Sequence, residues 1–447
     1  VGVLERVFRL QENGTTVRTE ALAGATTFAT MSYIVVVQPQ VLSSAGMDFG
    51  AVMVATCVGS AVGTVLMGLC ANYPIALAPA MGHNFFFAAT VCGAASAGGM
   101  GYSWQEALGA VGVAGVVFLI LSVTRVREKL IDAIPVALRH AIGAGIGMLI
   151  ALVGLHDAGL AVPGQGKLMA LGNLAEPTVI AALVGLAVTS VLVARRVPGA
   201  ILLGMAASAA LCYATGLATP PSSALGLPPS VAPTLGQLRV PDILVRPESV
   251  MVILTFLYLD MFDTVGTLVG VAQQAGFMRD GKLPRAGQAL AADAASTVVG
   301  AVVGTSTVTS YVESAAGVAS GGRTGLANMV TAGLFLLALF AAPLVQALGG
   351  GIVLPDGAVV HPVTAPALVI VGAMMMDGAR RIDWASDGVP AFLTILVMLV
   401  DLNISAGISV GFLSHVLLKV AQGQWRQIHG LTYACAAFGT LYFAFLR

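Results

Sequence analysis

Polar residues along this chain come in short clusters between apolar runs long enough to cross a bilayer, and the strict alternation of a half-buried strand does not recur between them. With about 20 apolar residues for one crossing, the pattern predicts spans at 22–45, 51–71, 81–97, 104–123, 132–155, 177–194 and 198–217. After a Pro/Ser-rich linker at 218–248, it predicts further spans at 249–275, 286–304, 311–321, 324–343, 362–378, 389–418 (whole or broken) and 428–446. Seven crossings on each side of the linker turn the second set upside down relative to the first, which is the inverted-repeat arrangement of many secondary transporters. The expected fold is an all-α polytopic membrane protein of fourteen segments, in repeats 1–217 and 249–447 joined by 218–248.

Segments 3 and 10 break the pattern. Each is short, and each follows a helix-poor stretch: "YPIALAPAMGHN" in the first half and "GTSTVTSYVES" in the second, at the same rank in the two repeats. Non-helical backbone at membrane depth is tolerated only inside protein or along a cavity, so paired breaks point to a binding site. If each stretch runs extended to mid-membrane and then starts a half-helix, His83, Asn84, Ser310 and Glu313 line one central cavity. Two ordinary helices, one with a proline kink and one with a capping Ser/Glu pair, are the plainer alternative.

Composition supports the membrane reading and narrows the function. The chain is 57% hydrophobic and 9% charged, with a mean hydropathy of +0.92, which leaves no large soluble domain. Zero net charge without a basic or acidic tail offers nothing to nucleic acid. The leader "VFRLQENGTTVRTE" lacks a small-residue cleavage site, so the first apolar run reads as a retained span. Cys57, Cys70, Cys92, Cys212 and Cys435 lack metal-ligand spacing and read as small core residues. With the N-terminus inside, Arg6, Arg9, Arg18, Arg125, Arg127, Lys129, Arg195, Arg196, Arg279, Lys282, Arg285, Arg323, Arg380, Arg381 and Arg447 fall on the cytoplasmic side. Only Lys167, Arg239, Arg246, Lys419 and Arg426 fall outside, as the positive-inside rule prefers.

Acidic residues carry the candidate chemistry. "FLYLDMFDTVGTLVGVAQQAG" places Asp260 and Asp263 in an apolar helix, where a carboxylate costs about 2.5–3.5 kcal/mol at the bilayer centre. Their i, i+3 spacing puts both on one face, with Thr264 and Thr267 following. Glu313 is a third carboxylate at depth, and Asp260 with Glu313 is the expected ligand pair. Carboxylates only accept hydrogen bonds, so two of them suit a cation or a ligand with several N–H donors and suit an anion badly. A planar heterocycle such as guanine or hypoxanthine presents such donors beside carbonyl acceptors, the latter served by Asn84, and one of Phe85, Phe86 and Phe87 could stack on it. No Ser/His/Asp or HExxH arrangement suggests an enzyme.

The stretches "LAGATTFATMSYIVVVQPQVLSSAGMD", "ALAPAMGHNFFFA", "REKLIDAIPVALRHAIGAGIGM", "FDTVGTLVG", "GTSTVTSYVESAAGVASGGRTGL" and "APALVIVGAMMM" together resemble the nucleobase:cation symporter-2 family, in its AzgA-like hypoxanthine/guanine permease branch. The resemblance covers most of the chain. It implies a core domain of 22–123 plus 249–343 that slides, elevator-fashion, against a gate domain of 132–217 plus 362–446, often within a homodimer. It implies proton-coupled import of purine nucleobases across the inner cell membrane, with sodium as the lesser alternative, both termini cytoplasmic, and neither cofactor nor metal. By motif position it places the substrate carboxylates on Asp260 and Glu313, the segment-3 asparagine on Asn84 and a supporting aspartate on Asp263. Departures from the branch are His83 and Phe85, where "GHNFFFA" replaces "GLNAYFA", Gln38 in "VQP" for "VNP", Gln273 and Gln274 in "AQQAG", and Asp401 in "VMLVDLNISAGI". His83 reads as a residue supporting the site, and Thr264, Gln38 and Asp401 as candidates for support or proton coupling. A transporter of another nucleobase, or an anion transporter of the same fold, is the rival reading.

Overall fold

The computed structural model describes residues 2–94, 99–124, 135–164, 167–221, 223–246, 248–278, 283–354, 357 and 359–445. Arg125, Arg127, Lys129, Arg279, Lys282, Arg447 and the adjoining ends of the spans expected at 81–97 and 132–155 lie outside these residues. The chain is mostly helical. Its first half contains α1 (Val3–Phe8), α2 (Val17–Met31), α3 (Ile34–Ser43), α4 (Phe49–Cys70), β1 (Leu77–Pro79), α5 (Met81–Phe85, continued as a π-helical turn over Phe86–Val91) and α6 (Trp104–Thr124). Then follow α7 (Val136–Asp157), the hairpin β2 (Ala161–Gly164) and β3 (Lys167–Leu171), α8 (Pro177–Ala194) and α9 (Ala200–Ala214).

The linker carries α10 (Val240–Val245). The second half contains α11 (Ser249–Ala275), α12 (Ala286–Val303), β4 (Val308–Ser310), α13 (Ser314–Ala319), α14 (Leu326–Ala338) and α15 (Ala342–Gly349). The strand pair β5 (Ile352–Val353) and β6 (Val359–Val360) precedes α16 (Ala365–Met375), α17 (Gly388–Asp401), α18 (Ile404–Ala421) and α19 (Gly430–Phe445). Among the described residues nine helices are long and apolar enough to cross a membrane: α2 with α3, α4, α6, α7, α8, α11, α12, α14 with α15, and α18.

Local chemistry sets the ends of these helices. Thr16 and Asp48 cap α2 and α4 by accepting the N–H groups of Thr19 and Ala51 at 3.2 and 2.7 Å. Gly276 takes up the left-handed conformation that ends α11, where a Cβ would be strained. The helices associate in two groups. In one, α4 and α12 pack together, α6 lies against α12, and α14 lies against α2 and α4. In the other, α7 lies along α16 and α17, α8 along α9 and α16, and α18 along α17 and α19. Small residues let the backbones approach, as membrane helices require in place of a hydrophobic driving force. A Cβ on Gly147 of α7 would meet the carbonyl oxygen of Gly372 on α16 at 2.6 Å.

The segment expected at 389–418, whole or broken, is a hairpin of two antiparallel helices, since Gly407 and Gly411 of α18 approach Thr394 of α17 and His415 lies 3.5 Å from Asp387. Leu402 in the left-handed region and Asn403, which caps α18 by accepting from Ala406 N–H at 3.1 Å, reverse the chain. Lys419 therefore lies 3.4 Å from Asp387, at the same end of the molecule as Arg380 and Arg381 and not opposite them. Near the two ends of the described chain, Phe8 clusters with Leu326 at the start of α14, and Phe443 packs with Met251 and Ala406, where α11 and α18 begin.

The α7–α16 crossing makes a stability prediction. Gly147→Ala forces a Cβ against backbone and against the Met375 Cβ at 2.7 Å, so it should cost about 1–3 kcal/mol and lower the melting temperature in detergent. Gly143→Ala in the same helix meets nothing within 4 Å and should be neutral or stabilising by up to about 1 kcal/mol. Equal effects of the two changes would contradict this close crossing.

Candidate functional site

Both interrupted segments meet in the middle of the molecule as an antiparallel strand pair. Leu77 pairs with Ser310, Ala78 with Thr309, and Pro79, which has no N–H to offer, with Val308. Ala80 N–H donates to Thr307 O and Tyr311 N–H to Ala76 O, both at 3.0 Å. Thr64 of α4 both donates to Leu77 O and accepts Leu77 N–H, at 3.1 and 2.9 Å, and Asn328 of α14 donates to Ile75 O at 2.8 Å. The Tyr311 hydroxyl donates to Pro79 O. Each break thus finds backbone partners in the other half of the chain, with Thr64 of its own half serving Leu77. Beyond the pair, α5 and α13 run in opposite senses from the centre. The first bond of α5 runs from Asn84 N–H to Ala80 O, so the N–H groups of Met81, Gly82 and His83 project from its start.

Four carboxylates surround this pair. Asp260 is sealed at 1% exposure, with Oδ2 accepting from Thr297 at 3.0 Å and Oδ1 unpartnered. Asp263 keeps an accessible side chain although protein surrounds it closely, the position of a group lining an internal cleft. Glu313 is half-buried and accepts the Tyr33 hydroxyl at 2.9 Å. Asp263 lies within electrostatic range of both Glu313 and Asp293. Among the described residues no Lys or Arg forms an ion pair with any of the four.

The sequence reading paired Asp260 with Glu313 and made Asp263 the support. In the structure Asp260 is the buried member and Asp263 the accessible one, because positions i and i+3 differ by about 60° around a helix. That rotation turns Asp260 into the contact with Thr297 of α12 and leaves Asp263 open beside Glu313.

Asp293 of α12 went unnoticed in the sequence. It is fully buried and accepts four hydrogen bonds: Thr264 Oγ1 at 2.6 Å, Thr309 Oγ1 at 3.3 Å, and both the N–H and the hydroxyl of Ser310 at 2.8 Å. It pins β4 to α11 and α12 through its bonds to Thr264 and Ser310. An aspartate alone in the apolar run "ALAADAAST" was the available signal, by the reasoning that singled out Asp260. Tyr33, placed by the break between α2 and α3, was missed with it.

Asn84 is also engaged. Its amide N–H donates to Gln38, its carbonyl accepts from Ser306, and Gln38 in turn donates to Thr305 at 3.0 Å. This buried amide chain ties α3, α5 and the approach to β4 together, and Asn84 is 0% exposed. His83 is buried with neither ring nitrogen hydrogen-bonded. Phe85 is buried, and Phe86 and Phe87 pack on Phe256, with ring centroids 4.9 and 6.4 Å away. Asp401 ends α17 at the turn into α18. No group of His, Cys, Asp and Glu among the described residues is arranged to hold a metal ion.

Comparison with known proteins fits this geometry. The family model Xan_ur_permease, described as the Permease family, matches residues 18–410. Guanine/hypoxanthine permease PbuG of Bacillus subtilis is 44% identical over 99% of this chain and 100% of its own length, and PbuO of the same organism 43% over 98% and 99%. Adenine permease AdeQ of Escherichia coli is 39% identical over 98% of this chain and 96% of its own length. Among solved structures, the transmembrane domain of the cyanobacterial bicarbonate transporter BicA shares the fold, with a TM-score of 0.61 at 14% identity over 86% of this chain and 96% of that one. The murine anion transporter Slc26a9 does so with a TM-score of 0.55 at 11% identity over 90% of this chain and 68% of that one. The site is thus set in a transporter architecture, and the chain belongs to the permease family of nucleobase:cation symporter-2 proteins, a transporter and not an enzyme.

Proposed function

We propose that the chain imports purine nucleobases, hypoxanthine or guanine ahead of adenine, in symport with protons. The observation that carries this reading is the open pair Asp263 and Glu313 at the meeting point of two broken segments, with no Lys or Arg ion-paired to it among the described residues. Such a pair is complemented by a proton and by the clustered N–H donors of a purine edge. The guanine/hypoxanthine and adenine permeases among the relatives support that substrate class. The solved anion transporters share the fold, but acceptor-only side chains at the centre disfavour an anion here.

The packing groups support a core of α2–α6 with α11–α15 and a gate of α7–α9 with α16–α18, which would slide past each other to expose the site alternately. This pairing makes α2–α9 and α11–α18 the inverted repeats and leaves α19 outside them, so the seventh segment of the second repeat is α18. The end bearing Arg9, Arg18, Arg195, Arg196, Arg285, Arg323, Arg380, Arg381 and Lys419 faces the cytoplasm of the cell membrane by the positive-inside rule. Asp260 and Asp293 hold α11, α12 and β4 in register, and the amide chain of Gln38 and Asn84 sets the position of α5. A homodimer in the membrane completes the reading.

Ligand-dependent stability tests the substrate. Hypoxanthine or guanine at a hundredfold excess over Kd should stabilise purified protein by about 2.7 kcal/mol, seen as a rise in melting temperature. Stabilisation by sulfate or bicarbonate and by no base would overturn the purine reading. Carboxylate variants test the roles: Asp263→Asn and Glu313→Gln should each weaken base binding by about 10- to 100-fold, the loss of a charge-assisted hydrogen bond worth roughly 1.5–3 kcal/mol. Asp260→Asn should weaken it less. The reverse order, with Asp260→Asn abolishing binding and Asp263→Asn neutral, restores the assignment made from sequence. In proteoliposomes, an inward proton gradient should drive accumulation and a protonophore should abolish it, whereas uptake that survives the protonophore but requires sodium excludes proton coupling.

A further inference from the structure

At the end of the molecule opposite the arginine-rich face, one carboxylate is contested by three side chains. Asp157 closes α7, and its Oδ2 accepts the side-chain N–H of Gln40, on α3, at 3.3 Å. The same oxygen lies 3.9 Å from Nδ1 of His361, just before α16, and Oδ1 lies 3.9 Å from Nδ1 of His156. His361 cannot drift away, because its backbone N–H donates to Asp157 O at 2.8 Å. Its Nδ1 is buried with no hydrogen-bond partner, and so is Oε1 of Gln40. The Gln40–Asp157 bond therefore crosses from one helix group to the other, and a poised imidazole competes for the oxygen it uses.

We propose that Asp157, His361 and His156 form an acid-released latch across the outer end of the transport cleft, with Gln40 as the released group. This rests on the core-and-gate reading above. A neutral imidazole at 3.9 Å is beyond hydrogen-bond reach of the carboxylate. Once protonated, both its nitrogens are donors, and a charge-assisted bond to carboxylate is roughly twice as strong as the neutral amide bond it displaces. A closure of about 1 Å then suffices to take Oδ2 from Gln40 and free α3 from α7.

Burial holds the His361 imidazole below its ordinary value against the opposing pull of Asp157, which is the only charged group acting on it among the described residues. Opening the outer end admits water and relaxes that burial. His361 in the open state then binds its proton more tightly, so through this residue falling pH favours opening and rising pH favours the latched state, whereas contact with Asp157 already raises the His156 imidazole in the latched state. An importer that takes its protons from an acidic outer face would open where the protons are.

Spin labels on Ser44, just beyond α3, and Leu174, just before α8, in protein whose five native cysteines are replaced, report the gap between the two groups by pulsed dipolar spectroscopy without substrate. Lowering the pH from about 8 to about 5, across histidine titration, should enlarge the long-distance population several-fold. The double change His156→Gln and His361→Gln should remove that response, and Asp157→Asn, which still accepts from Gln40 but carries no charge, should keep the short distance at every pH. A full pH response in the double variant, or in Asp157→Asn, overturns the latch. Melting of the same samples with and without hypoxanthine reads the substrate site separately: loss of stabilisation there sinks the purine reading and leaves the distance result standing.

Discussion

Backbone hydrogen bonding at membrane depth is the constraint on which this structure rests. A chain that leaves its helix in hydrocarbon must find partners for each N–H and C=O group, and a single broken segment cannot supply them. Two breaks can do so by pairing with each other, and β1 with β4 is that solution. Much else follows from it. Thr64 and Asn328 cover backbone groups beside β1 that the pairing does not reach, Asp293 fixes the Ser310 end of β4, and the Gln38–Asn84–Ser306 chain holds the far end. Fixing the strands fixes where α5 and α13 begin, and so where Asp263 and Glu313 meet the cleft.

That constraint also explains which parts of the molecule were legible in the sequence. Proline at 74 and 79, and the run of Thr and Ser from 305 to 310, announce non-helical backbone wherever it sits, so both breaks and their equal rank could be read directly. Asp260 and Glu313 were conspicuous because charge in an apolar run is costly. What composition could not convey was rotation about a helix axis. Asp260 and Asp263 look alike on paper, and only the seating of α11 against α12 decides which is buried and which is open. The partners that Asn84 has in the structure, Gln38 and Ser306, are 46 and 222 residues away, and nothing in the local sequence signals them. The turn at Leu402 and Asn403 is flanked by apolar residues on both sides, so the sequence left 389–418 as one segment, whole or broken, without placing the turn.

The likeness to bicarbonate and other anion transporters shows how much the architecture leaves open. Paired half-helices around a central strand pair offer backbone N–H groups, which serve an anion as readily as the carbonyl edge of a base. The side chains decide between them. On the proposed reading, acceptor-only carboxylates that form no ion pair with arginine or lysine among the described residues set this site apart from one built for negative charge, and they would give a proton somewhere to sit. The same economy of means recurs at the outer latch, where one aspartate serves both the contact between helix groups and the histidines that would break it.

A structure of the protein with hypoxanthine bound tests the account most directly. The account predicts planar density between Asp263 and Glu313, alongside the β1–β4 pair and the start of α5, with Asp293 and Asn84 keeping their present partners. Density for the base elsewhere, for instance in the cavity of about 360 Å³ beside Asp48, Pro229 and Gln346, with the Asp263–Glu313 cleft left unchanged, would contradict it.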